Sequence, residues 1–139
     1  MIDWIDVVKK FEVVCEEHPI IQKFGYGRRD SKQTLFDDFG KEFPLVWINT
    51  NTFRTTEFTM IYGVNVDVFS ILKDSLEDAD KNISDMNAIA IDLRNEFKDD
   101  LLSLNITLNP YHWELETGEN MSGVTALFEF ETDINNCKF

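Results

Sequence analysis

The sequence predicts an α+β fold: a mostly antiparallel, twisted sheet with two amphipathic helices packed on one face. Three observations carry this prediction. Two stretches, residues 2–17 and 83–98, place apolar residues three and four apart, the spacing of one helix face. Two others, 58–69 and 124–131, alternate apolar and polar residues at period two, the pattern of a strand with one buried face. Helices and strands come in separate groups rather than in strict alternation, which favours a sheet with helices gathered on one side.

The first helix presents Trp4, Val7, Val8, Phe11, Val14 and Cys15 on one face, with Asp6, Lys9, Lys10, Glu12 and Glu16 between them. His18-Pro19 ends it, since proline disfavours helical geometry in the residue before it and has no N–H to donate. Ile20–Tyr26 reads as a short strand, with Gly25 and Gly27 flanking a turn. Arg28, Arg29 and Lys32 then form the chain's basic cluster, read either as a solvated turn or as an electrostatic contact to an acidic neighbour.

Phe43–Asn49 (FPLVWIN) reads as a buried strand with Trp47 in the core, and Thr50–Thr56 as turn material leading into the longest strand. That strand, FTMIYGVNVDVF over 58–69, aligns Phe58, Met60, Tyr62, Val64, Val66 and Val68 on one face. Ile61 and Phe69 give the other face partial cover, and Gly63 marks a bulge or twist point. The 73–81 loop is dense in carboxylates, with Asp74, Glu77, Asp78 and Asp80 as candidate contact residues. It lacks the glycine that a calcium-binding EF-hand loop needs at its sixth position. Asn82 or Ser84 is expected to cap the second helix, whose stripe is Ile83, Met86, Ala90, Leu93 and Phe97. Leu102, Leu104, Ile106 and Leu108 alternate as a strand, Asn109-Pro110 interrupts it, and Tyr111–Glu116 resumes. Gly118–Gly123 is a turn, and Val124, Ala126, Phe128 and Phe130 form the closing strand, with Glu129 and Glu131 sharing its other face.

The chain has 139 residues, 43% hydrophobic and 13% aromatic, enough for one domain over 1–139 with a real core. Cys15 and Cys137 are too few and too far apart for a disulfide framework or a zinc site, and read as free thiols of a reducing compartment. The first residues lack a basic n-region, and no apolar run reaches the length of a membrane span, so a soluble protein without a signal peptide is expected. No phosphate loop, nucleophile elbow or helix-borne zinc motif occurs, and His18 and His112 have no sequence partner. The expectation is a protein without catalysis, cofactor or metal. Net charge is −13, with −3 in residues 1–70 and −10 in 71–139. Such a surface repels phosphate, which argues against sequence-reading nucleic-acid binding.

The order of a helix, the FPLVWIN strand, the YGVNVDVFS strand, an acidic loop, the helix NISDMNAIAIDLRNEF and a closing pair with VTALFEFET resembles the tail terminator and head–tail completion proteins of bacteriophages, over roughly residues 1–132. The resemblance implies a small structural virion subunit, assembled as a homo-oligomeric ring at the head–tail junction beside tail-tube, portal or stopper proteins, without cofactors. In such a ring Glu114, Glu116, Glu129 and Glu131 are expected to include lumen-facing carboxylates past which DNA slides without specific binding. The Arg28, Arg29 and Lys32 cluster would lie at an interface. The alternative is a small acidic cytoplasmic interaction module: an adaptor, an inhibitor or a DNA mimic.

Overall fold

The computed structural model describes residues 3–27, 43–72, 77–114 and 120–133. The described elements are α1 (Trp4–Glu17), β1 (Lys23–Tyr26), β2 (Leu45–Thr55), β3 (Thr59–Leu72), α2 (Glu77–Glu96), β4 (Asn109–Glu114) and β5 (Asn120–Asp133). The strands form one sheet in the order β1-β2-β3-β5-β4, antiparallel throughout except for the β1–β2 pair. The predicted α+β class is the observed one, with the short first strand entering parallel.

Asp3 starts α1 with a capping box: its carboxylate accepts from the Asp6 N–H at 2.8 Å, and Asp6 reaches back to the Asp3 N–H. His18, with φ −73° and ψ 128°, ends the helix before Pro19 as the sequence predicts. Val7, Phe11 and Cys15 are its buried stripe. Phe11 is the hub of the core. Its ring centroid lies 4.3 Å from that of Phe97, 5.8 Å from Phe130, 6.1 Å from Phe128 and 6.4 Å from Phe24. Below these rings the sheet contributes Val46, Ile48, Tyr62, Val64, Val66, Val68, Val124 and Ala126, with Met86, Ile89, Ala90 and Leu93 from α2 above. Lys10 ties the layers together, pairing with Asp100 while its ammonium sits 5.1 Å from the centre of the Phe97 ring.

The sheet's other face carries a second apolar cluster, Leu45, Trp47, Phe69 and Met121, with Phe43 and Tyr111 against it. Trp47 is thus buried, but opposite the helices. Gly123 makes this packing possible, because a Cβ there would lie 2.2 Å from the Val68 carbonyl oxygen and 2.6 Å from Phe69 Cβ.

Several expectations are corrected. Phe58 precedes β3 and is 66% exposed, since Thr56 makes the turn by accepting the Thr59 N–H on its hydroxyl at 3.0 Å. Residues 50–55 are strand and not turn: β2 continues through a register shift between Thr50 and Phe53, lying opposite Gly63, whose missing Cβ leaves room for the Thr52 carbonyl. Helix α2 begins at Glu77, absorbing the second half of the expected acidic loop. Asn82 is no cap, and its amide donates to Ser122 O at 2.9 Å and Ser122 Oγ at 2.6 Å. The Leu102–Leu108 strand does not form. Leu102 N–H donates to Glu129 O and Glu131 N–H to Asp100 O, so one end of the β5 edge is taken by residues 100–102. Its other end pairs with β4, and the intervening segment is an irregular strap that lays Ile106 and Leu108 on the core. Asn109-Pro110 lies within β4 instead of interrupting it, and Gly123 within β5 instead of a turn.

Candidate assembly surface

The sheet ends on two edges of different character. On the β1 side the strand is short. The Gly27 N–H makes the last described bond to β2, to Ile48 O at 3.1 Å, and Gly27 itself has φ +136°, a conformation that favours glycine. Beyond it residues 50–55 of β2 are exposed, and no described strand pairs with their outer side. These residues, with the facing parts of β3 and β5, form a three-stranded arm. Trp4 and Tyr62 buttress it from the helix side, their rings 5.5 and 4.9 Å from that of the half-exposed Phe53.

On the opposite edge lies β4. Tyr111 pairs with Gly123 and Trp113 with Met121, and it is the odd-numbered β5 residues that bond outward, as Glu129 and Glu131 show. The odd β4 residues therefore bond inward, and Pro110, His112 and Glu114 turn their backbone groups outward. Pro110 is tolerated because its missing N–H falls on the open side. Trp113 is 53% exposed beside it.

Both edges carry little charge in a chain of net charge −13: the outer half of β2 has Arg54, and β4 has Glu114 at its end. From Phe43 to Thr56 the sole charge is Arg54, and from Leu101 to Trp113 there is none. Arg54 points to the face opposite the helices and pairs with Glu129, Nη2 to Oε2 at 3.0 Å.

Those residues singled out from the sequence that are described do not converge. Glu129 and Glu131 share the face opposite the helices, with Glu129 engaged by Arg54. Glu114 pairs with Asn120, whose even register puts it on the helix-side face, nine residues along β5 from Glu129, about 30 Å at strand rise. Glu114 and the Glu129–Glu131 pair thus do not form one continuous wall within a subunit. Glu77 and Asp78 begin α2, and Asp80, close behind them on the helix, is exposed. Arg28, Arg29, Lys32, Asp74 and Glu116 lie outside the described residues.

His18 and Cys15 are engaged and buried respectively, while His112 is exposed on β4. His18 Nδ1 accepts the Ile20 N–H at 3.2 Å, so the proton sits on Nε2, 3.0 Å from Asp92 Oδ2; the contact fastens the end of α1 to α2. Burial pushes the Cys15 thiol up to about 12, and it stays protonated at neutral pH. Among the described residues no three His, Cys, Asp or Glu gather as a metal-holding group. No described helix is long and apolar enough to cross a membrane.

The outer β2 edge, which no described strand covers, is what sequence reasoning missed. Its signal was present in the β-branched and aromatic run of Thr50, Thr52, Phe53 and Thr55 and in the lack of carboxylates around it. No protein-family model matches the chain, and no curated protein matches it in sequence.

Proposed function

We propose that this protein is a structural subunit that assembles with copies of itself, head to tail, through the two edges of its sheet. The observation that carries the reading is that both edges carry little charge in a strongly acidic molecule, Arg54 alone on the outer half of β2 and Glu114 alone on β4. Like-charged copies approach with least repulsion there, and edge backbone groups supply the bonds. Two different edges on opposite sides of one sheet make a heterologous contact, and such contacts close into rings when the rotation per subunit allows it. The order of elements, which resembles that of phage tail terminator and head–tail completion proteins, supports a virion ring at the head–tail junction. Its neighbours there would be tail-tube, portal or stopper proteins, and it would have no catalytic role.

The experiment is native mass spectrometry and sedimentation on the wild-type chain and on Thr55→Glu and Asn109→Glu, each of which adds a carboxylate to one exposed edge. Closed oligomers of the wild type that dissociate in either variant are expected. A chain that stays monomeric at high concentration, alone and with tail-tube or portal protein, sinks the ring and favours the acidic interaction module.

A further inference from the structure

The two margins of the sheet carry, on the same face, one exposed cation and one exposed indole. Arg54 lies on the face opposite the helices, and its side chain is half-exposed although Glu129 holds one end of the guanidinium. Trp113 pairs with Met121, a member of the apolar cluster on that same face, and is half-exposed too. We propose that the contact between copies is a clasp in which Arg54 of one subunit stacks on the Trp113 ring of the next. The clasp rests on head-to-tail assembly through the edges and names the pair that fixes its register.

Three observations set this pairing. The first is direction. β2, β3, β5 and β4 alternate in sense across the sheet, so β4 runs antiparallel to β2. Copies that follow one another with helices on one side and strands in one sense therefore bring β4 against the outer half of β2 as an antiparallel pair. The second is hydrogen-bond phase. The Thr56 N–H donates to Thr59 O at 2.9 Å, and bonded and non-bonded pairs alternate along such a ladder, so Arg54 bonds inward to Ile61. Trp113 likewise bonds inward, to β5. Arg54 and Trp113 thus both fall at non-bonded positions of the new ladder, where facing side chains approach closest.

The third is Pro110. With Arg54 opposite Trp113, Pro110 falls opposite Glu57, beyond the end of β2 at Thr55. Sliding β4 by two residues, to put Tyr111 opposite Arg54, would set Pro110 opposite Thr55, where the ladder needs an N–H that proline lacks.

The chemistry suits the pair. A guanidinium stacks on an indole face while keeping its in-plane hydrogen bonds, so Arg54 meets Trp113 without releasing Glu129. The Glu129 contact also restrains the cation before the neighbour arrives, which lowers the entropy lost on docking. Arginine and tryptophan are among the side chains that dominate binding energy at interfaces.

The test is sedimentation and cross-linking on the full chain carrying Cys137→Ser. Arg54→Gln and Trp113→Leu should each raise the protein concentration needed for assembly at least fivefold, and Trp113→Tyr should do so less. All three should keep the wild-type circular dichroism, and combining the first two should add little to the worse of them. Mixing Arg54→Cys chains with Trp113→Cys chains under mild oxidation should give disulfide-linked pairs, because facing Cα atoms at such a position lie about 4.5 Å apart. Either chain alone should give none. An oligomer that forms as before in both Arg54→Gln and Trp113→Leu, or that yields no mixed disulfide, overturns the clasp and leaves edge assembly standing. A wild-type chain that stays monomeric at high concentration overturns both.

Discussion

Phe11 and Phe97 each have no exposed surface and touch one another, so removing either ring leaves a void in the aromatic cluster that the remaining side chains cannot close. Phe11→Ala and Phe97→Ala should each cost about 3–5 kcal/mol, read from urea unfolding. Gly123 is a different kind of constraint. Its Cβ position lies inside the Val68 backbone, so Gly123→Ala must push β3 and β5 apart. A loss of about 1–3 kcal/mol is expected in the same measurement, whereas an unchanged midpoint would show that the two strands are not so closely apposed. Cys15 gives a pH signature. Its thiol titrates near 9.0 when free and about 12 when folded, so the unfolded chain releases its proton first. Stability is then intact below pH 9 and declines as pH rises toward 12, by at most about 1.4 kcal/mol per unit. The difference between wild type and Cys15→Ala, followed from pH 7 to 10.5, isolates that slope; parallel curves would mean the thiol is open to solvent.

Elements with one covered face were legible in the sequence, and elements at the sheet's margins were not. β3 and β5 lie between other strands and beneath the helices, so Tyr62, Val64, Val66 and Val68, and Val124, Ala126, Phe128 and Phe130, had to alternate with polar residues. The α1 and α2 stripes were legible for the same reason. The outer half of β2 and all of β4 bury little, so no alternation is enforced, and Thr50–Thr55 looked like turn and Pro110 like a break. Residues 102–108 misled in the opposite direction: they alternate, but both ends of the β5 edge they would need were already taken. As for the site, the charge asymmetry was visible at once. Which carboxylates share a face depended on a register that no stretch of sequence states. One consequence at this scale is measurable. Asp3→Ala removes the reciprocal cap of α1 and should cost about 1 kcal/mol in thermal or urea unfolding, while sparing the strand arm.

At the scale of the whole molecule, net charge sets the conditions under which copies meet. At −13, repulsion opposes association until salt screens it; the Debye length shortens from about 30 Å at 0.01 M to 8 Å at 0.15 M. If these sparsely charged edges are the contact, raising the salt should favour the oligomer, and sedimentation at constant protein concentration should show its share increasing between those two salts. An assembly that salt dissolves would instead be held by ion pairs, and the edges would lose their role.

The sheet order also bears on synthesis. The strand at the heart of the contacts, β5, is the last described element to leave the ribosome, whereas Phe11, which rests on Phe128 and Phe130, is among the first. Until β5 emerges, β3 lacks its inner neighbour and the aromatic face of α1 has no floor. The nascent chain therefore gains little from folding early, and most of this fold forms in one step once β5 has emerged. A chain stopped before Asn120 should be captured by chaperones or degraded, and should not persist as a folded half.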